Sequence, residues 1–389
     1  MRALFDNVDP DGLREYSVVY TDRSLNHMSK SFQSVMTDIS AMLKEVYNAH
    51  RAVIVPGSGT FGMEAVARQF ARDKKCLVIR NGWFSYRWSQ IFEMGNLPTE
   101  TLVLKARREK PGSTEPFSPV PIEEAVDTIK REKPALVFAP HVETSAGMIL
   151  PDDYISALAD AVHSVGGLMV LDCIASGTIW VDMQKTGVDL LISAPQKGWS
   201  GPPCAGLVMM SEHARESIEQ TTSDSFAADL KKWLQIMETY ESGAHAYHAT
   251  MPTESLRVFR DVMLETQAFG FQKAKDSQQE LGNKVRAALT DKGVISVAAS
   301  GFQAPGVVVS YTSEPAIQNG QSFAALGAQI AAGVPLMCDE GDNYSTFRLG
   351  LFGLDKLQNV DGTVDALQSV LDEVIVASST DTAATEDSR

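Results

Sequence analysis

Short, wholly apolar runs separated by helical patterns fill the first two thirds of the chain, and that alternation limits the possible folds more than any other feature. The runs are Ala52 to Val55, Leu77 to Ile79, Thr101 to Leu104, Ala135 to Ala139, Leu168 to Leu171, Leu190 to Ile192 and Gly206 to Met210. Most lack apolar–polar alternation, so they read as strands buried on both faces. Helical patterns lie between several of them: Met63 to Ala71, Ile122 to Arg131 and Tyr154 to Val165. Strand–helix alternation of this kind predicts an α/β fold with a mainly parallel sheet covered on both sides. From about Pro252 the texture changes. A charged helical stretch runs to about Lys292, broken near Phe269–Gly270. Short strands follow at Val307 to Tyr311 and Thr346 to Leu349, then a helix from Val360 to Val376. The expected organisation is an N-terminal segment (1–25), a large domain (26–252), a smaller α+β C-terminal domain (253–377) and a tail (378–389). That tail is rich in Ser, Thr, Asp and Ala and is expected to be disordered.

Charge narrows the function classes. Lys plus Arg total 34 against 49 Asp plus Glu, a net charge of −15. Binding a phosphate backbone needs clustered Lys and Arg, so nucleic acid is excluded as a partner. No apolar run reaches the ~18 residues of a membrane span. Met1 to Glu15 also lacks the apolar stretch of a signal peptide. Cys76, Cys173, Cys204 and Cys338 lie far apart with no CxxC pair. They form neither a disulfide framework nor a zinc site, and they suit a reducing cytosol. The expectation is a soluble cytoplasmic protein.

Gly57-Ser58-Gly59-Thr60-Phe61-Gly62 follows a strand and opens a helix, matching GxGxxG in the required context. A helix N-terminus with close backbone approach suits an anion. A dinucleotide fold wants an acidic residue ~20 positions on, at the end of the next strand. Arg80-Asn81 stands there instead, which excludes a simple NAD site and leaves NADP as a rival. A tight turn with no ligand is the plain alternative.

Two further residues decide between these. Leu168-Met169-Val170-Leu171-Asp172 puts a carboxylate at the end of a buried strand, and Lys197 lies just past the next one. Strand C-termini are where open α/β sheets place ligands, and a lysine beside an apolar strand is costly to bury without a partner. A lysine can form a Schiff base, a carboxylate can keep a pyridinium nitrogen protonated, and a helix N-terminus can anchor a phosphate. Those are the needs of pyridoxal 5′-phosphate.

With these residues in place, the chain resembles the class V aminotransferases of PLP fold type I. The resemblance is nearest to the alanine–glyoxylate and serine–glyoxylate group and spans Asn26 to Val376. It is carried by Gly57 to Ala65, Asn81 to Arg87, His141 to Gly147, Leu171 to Ser176, Pro195 to Gly198, Tyr247 to Pro252 and Phe347 to Gly350. The fold it implies is a large PLP-binding domain with a mainly parallel seven-stranded sheet, plus a smaller α+β domain. The activity it implies is transfer of an amino group from a small amino acid (alanine, serine or aspartate type) to a 2-oxo acid such as glyoxylate.

The resemblance further implies that Lys197 carries the cofactor as a Schiff base and moves the substrate Cα proton. Asp172 would pair with the pyridinium nitrogen, Phe84 and Ile174 would cover the two ring faces, and Thr144 would bond the phenolic oxygen. Ser58, Gly59, Thr60 and Gln196 would hold the phosphate. Tyr247 and Thr250 would reach the phosphate of a second subunit in a homodimer, and Arg348 would clamp the substrate α-carboxylate. Taken alone, Phe84 can equally be plain core, Arg348 follows a strand-like pattern and can be a surface cation, and Tyr247 and Thr250 carry no signal. Glu241, His245 and His248 are helix-spaced, but a neighbouring Gly243 and no further ligand argue against a metal site.

Two segments depart from the family pattern. Tyr16 to Arg23 replaces a Gly/Pro-rich opening, and Cys338-Asp339-Glu340-Gly341-Asp342 replaces a glycine-rich loop before Arg348. Cys338 also raises a rival, a cysteine desulfurase-like PLP lyase with a thiol nucleophile. Phe84 and Gln196 stand where desulfurases usually have histidines, which favours transamination.

Overall fold

All seven apolar runs become strands of one sheet. In the computed structural model, which describes residues 8–9, 12–110 and 112–386, these are β1 (Arg51–Pro56), β2 (Lys75–Arg80), β3 (Glu100–Lys105), β4 (Leu136–Pro140), β5 (Leu168–Asp172), β6 (Leu190–Ser193) and β7 (Ala205–Met210). Their spatial order is β1-β7-β6-β5-β4-β2-β3. Strand β7 runs antiparallel to β1 and β6, and every other pairing is parallel. Strands β4 to β7 are buried along their whole length, which is why their sequences show no alternation.

Helices α1 (Lys30–Tyr47), α2 (Gly59–Phe70), α3 (Trp83–Gly95), α4 (Ile122–Glu132), α5 (Asp152–His163) and α6 (Leu230–Glu241) cover the sheet. Helix α2 lies close on β7 because two glycines meet there: a Cβ on Gly206 would come within 2.6 Å of the Gly62 nitrogen. The last glycine of the GxGxxG match therefore serves helix–sheet packing.

The charged stretch forms α7 (Thr253–Phe269) and α8 (Phe271–Thr290), broken at Gly270 as its sequence suggests. Leu256, Phe259 and Met263 of α7 lie in the same apolar core as the large sheet. A second core forms where α8 and α9 (Val360–Glu386) cover an antiparallel sheet of β8 (Val307–Tyr311), β9 (Ala331–Ala332) and β10 (Thr346–Gly350), ordered β8-β10-β9. Helix α9 runs on past Val376, so residues 378–386, expected as disordered tail, are helical, and residues 387–389 lie outside the described residues. The packed Leu371 and Val374 belong to an established helix, and extending a helix costs far less than nucleating one. No helix of the described residues is long and apolar enough to cross a membrane.

Candidate active site

The C-terminal ends of β1, β2, β4, β5 and β6 open onto one region, the edge where ligands sit on parallel sheets. Strand β5 ends on Asp172, a carboxyl only 6% exposed. Its Oδ1 accepts one hydrogen bond, from the Ile174 nitrogen at 2.9 Å, and no ion pair reaches it among the described residues. Burial pushes its pKa up to about 7; the Ile174 bond and the Arg87 charge oppose that rise, and the Glu143 charge adds to it. A buried carboxyl with no cation of its own is a receptor for a cationic N–H.

Lys197 lies in the turn after β6, where the Ser200 nitrogen donates to its carbonyl at 3.1 Å. Its Nζ is 5.1 Å from the centre of the Phe352 ring. Burial, helped by the Arg348 charge, holds the amine below the ordinary lysine value. A lysine so placed presents more of its neutral, nucleophilic form near neutrality.

The remaining residues close around this pair. A Cβ on Gly59 would come within 2.6 Å of the Ile174 side chain, so the glycine loop sits directly against Ile174. Ser58 is the N-cap of α2 but makes no side-chain capping bond. Thr60 Oγ1 accepts from Arg87 at 3.0 Å. The Phe84 ring has Arg87 at 5.1 Å on it and Arg348 at 5.7 Å. Arg348, on β10, donates from Nε to the Ala332 carbonyl at 2.8 Å, and burial lowers its pKa. Thr144 is buried in the tight turn between Val142–Glu143 and Met148–Ile149. Gln196 adjoins Lys197 and keeps its amide oxygen buried without a partner.

Tyr247 and Thr250 stand apart. They bond one another at 3.0 Å, and Tyr247, 52% exposed, faces His27; among the described residues no hydrogen bond or ring contact joins them to Lys197. Glu241 pairs with Lys44 at 2.8 Å, and His248 meets the Phe226 carbonyl, so their neighbours are not one another. Arg80, the residue that left room for a 2′-phosphate, is 8% exposed and is used internally: it donates to Ser89 at 2.8 Å and lies over the Tyr86 ring.

Sequence reasoning gave no role to Glu143, which is fully buried yet accepts five hydrogen bonds. The Phe84 and Ser85 nitrogens donate to it at 3.1 and 2.9 Å, the Ser145 nitrogen at 3.2 Å, and the Ser85 and Ser145 hydroxyls at 2.7 Å each. The Trp83 nitrogen bonds Ser145 Oγ, so the first turn of α3 is capped entirely from the Thr144 turn. Gly82 permits that approach: a Cβ there would lie 2.1 Å from Ser145 Oγ. Glu143 thus ties the segment bearing Thr144 to the helix bearing Phe84. The available signal was a carboxylate three residues past the wholly apolar strand Leu136–Pro140. Glu143→Ala strands three backbone donors and is expected to cost at least ~2 kcal/mol of stability. A urea-unfolding midpoint equal to wild type would contradict this capping role.

Residues 11–313 match the family described as Aminotransferase class-V. The chain belongs to that family. This class V aminotransferase is 29% identical over 341 residues to a 2-aminoethylphosphonate–pyruvate transaminase of Paraburkholderia phymatum, covering 85% of this chain and 84% of that one. It is 25% identical over 356 residues to a Synechococcus protein named as the small subunit of a soluble hydrogenase, covering 90% and 88%. Its fold superposes on a Nostoc alanine–glyoxylate aminotransferase with a TM-score of 0.74 at 21% identity, over 89% of both chains. The protein is a PLP-dependent aminotransferase of fold type I, as its sequence motifs implied.

Proposed function

We propose that this aminotransferase moves an amino group from a small amino acid, of alanine, serine or aspartate type, to a 2-oxo acid such as glyoxylate, with Lys197 and Asp172 at the centre of its site. One observation carries the assignment of that centre: at successive strand ends lie a lysine of lowered pKa and a buried carboxyl without a cationic partner. The names of the relatives, which pair amino donors with pyruvate or glyoxylate, support the substrate class.

The residues present fit pyridoxal 5′-phosphate. The unpaired Asp172 carboxylate suits the ring N–H, and the uncapped first turn of α2 suits the phosphate. When bound, the cofactor supplies an electron sink conjugated to the substrate Cα. Ser58, Gly59, Thr60 and Gln196 hold the phosphate, and the Gln196 amide can turn its NH₂ toward it. Phe84 and Ile174 flank the ring, and Thr144 bonds its phenolic oxygen. Lys197 binds the cofactor, then takes and returns the proton at the substrate Cα. Arg348 orients the substrate α-carboxylate. Tyr247 and Thr250 serve a second subunit, which makes a homodimer the functional unit; the exposure of Tyr247 supports that reading. Four free, buried thiols support a cytoplasmic setting. We draw the domain boundary at Gly270, because α7 is packed into the first core.

Cys338 is a poor nucleophile here. It is buried, its Sγ donates to the Arg80 carbonyl at 3.3 Å, and burial pushes its pKa up to about 12. Glu340, in the segment that replaces the family's glycine-rich loop, accepts from the Leu336, Met337 and Cys338 nitrogens and shapes the segment. Cys338→Ala is expected to keep most transaminase activity. Arg348→Ala should raise the donor KM by about 10–100-fold, the worth of a charge-assisted clamp. Both are read by keto-acid formation from amino acids plus glyoxylate, beside sulfide release from cysteine. Sulfide release that requires Cys338, without amino transfer to any 2-oxo acid, would overturn the proposal.

A further inference from the structure

We propose that Arg87 is a cofactor-binding residue whose guanidinium supplies the positive charge holding the phosphate of pyridoxal 5′-phosphate at the first turn of α2. The inference rests on the site reading above and adds to it a residue that the motif comparison leaves without a role. Two helix N-termini open onto this end of the sheet, and they are treated in opposite ways. The first turn of α3 is closed by protein: Trp83 donates to Ser145, and Phe84 and Ser85 donate to Glu143. The first turn of α2 is open. Its N-cap Ser58 forms no side-chain bond, and among the described residues no acceptor pairs with the N–H groups of Gly59, Thr60 and Phe61.

Free N–H groups and a helix dipole offer an anion only partial charge. A phosphate ester near neutrality carries about −1.5 to −2. Ser58, Gly59, Thr60 and Gln196 are all neutral, so the turn they form lacks a full countercharge. Arg87 stands at the same place. Its Nη1 donates to Thr60 Oγ1, the hydroxyl of the second residue of α2, at 3.0 Å. It lies three residues after Phe84 on α3, so one helix face delivers the ring and the guanidinium together, 5.1 Å apart. No carboxylate forms an ion pair with Arg87 among the described residues, although it is half-buried. A partly desolvated guanidinium that feels Asp172 only through space, with no ion-paired carboxylate, is unfavourable by itself. A dianion seated on the α2 turn satisfies it and accepts its remaining N–H donors in the fork geometry that arginine presents to phosphate. Arg348 is bonded to the C-terminal sheet and Lys197 is committed to the covalent link, so neither duplicates the role.

The alternative is that Arg87 only braces α2 against α3. Dissociation constants of pyridoxal 5′-phosphate and of pyridoxal, which lacks only the phosphate, separate the two for wild type, Arg87→Met and Arg87→Lys. Titration of the cofactor-free full-length enzyme by absorbance and by quenching of tryptophan fluorescence reads them without turnover. Arg87→Met is expected to weaken the phosphorylated ligand at least about tenfold and pyridoxal less than twofold. Arg87→Lys should recover part of the loss, having the charge without the fork. Equal weakening of both ligands, or of neither, overturns the role of Arg87 and leaves the site reading intact. A wild-type enzyme that binds the two ligands equally well overturns the phosphate assignment at α2 itself.

Discussion

Lys197→Ala is expected to abolish amino transfer, lowering turnover by ~10⁴-fold or more, because on the proposed assignment one change removes both the covalent anchor and the acid–base group. The amine sits beyond an apolar strand, and among the described residues no hydrogen bond or ion pair joins its Nζ to another acid–base side chain that could substitute for its proton transfer. Its lowered pKa, set by burial and by Arg348, makes the neutral amine available at a lower pH than for a solvated lysine. Cofactor loading of wild type should therefore extend to lower pH than a solvated lysine would allow. Arg348→Ala removes part of the cause and should move the loading profile toward higher pH. The direct check is borohydride reduction of the holoenzyme followed by peptide mapping. A pyridoxyl group on any lysine other than Lys197 would sink the assignment.

The sheet was legible because burial on both faces leaves its mark in each strand. Residues such as Val137, Phe138, Val170 and Leu191 are wholly inaccessible, and no polar residue is tolerated there. The break at Phe269–Gly270 was legible for a similarly local reason. Asp172 and Lys197 stood out as polar residues at the ends of such runs. Other features depend on contacts far apart in sequence. Glu143 is a cap for a helix that begins about sixty residues earlier, and nothing in its neighbours announces that. Arg87 gains its setting from Thr60, on a different helix. Gly62 resembles a ligand-binding glycine in sequence, yet the space it saves is filled by Gly206. Motif spacing reports which residues share a loop; it does not report which of them meet across the edge of the sheet.

Asp172→Asn should separate charge from shape. The amide can still accept from the Ile174 nitrogen, so the local fold survives while the carboxylate charge is lost. Turnover is expected to fall at least ~10²-fold, the scale of losing one preorganised electrostatic group, because on the proposed assignment the ring nitrogen would no longer be held protonated. Stability of the cofactor-free protein should move the other way. Burial raises the folded-state pKa of Asp172 to about 7, from an ordinary value of 3.8. A raised pKa means that the folded state resists ionisation: its contribution is intact below pH ~4 and is lost progressively as the pH climbs toward ~7. At about 1.4 kcal/mol per unit, the wild type then carries a penalty of a few kcal/mol above neutrality. The cofactor-free mutant is therefore expected to melt higher than wild type at pH 8 and alongside it near pH 4. Adding cofactor should reverse the order at pH 8, since the cationic ring restores a partner to the carboxylate and gives the amide much less. Wild-type single-turnover rates in the mutant, or a difference in melting temperature that ignores pH, would remove Asp172 from the centre of the site.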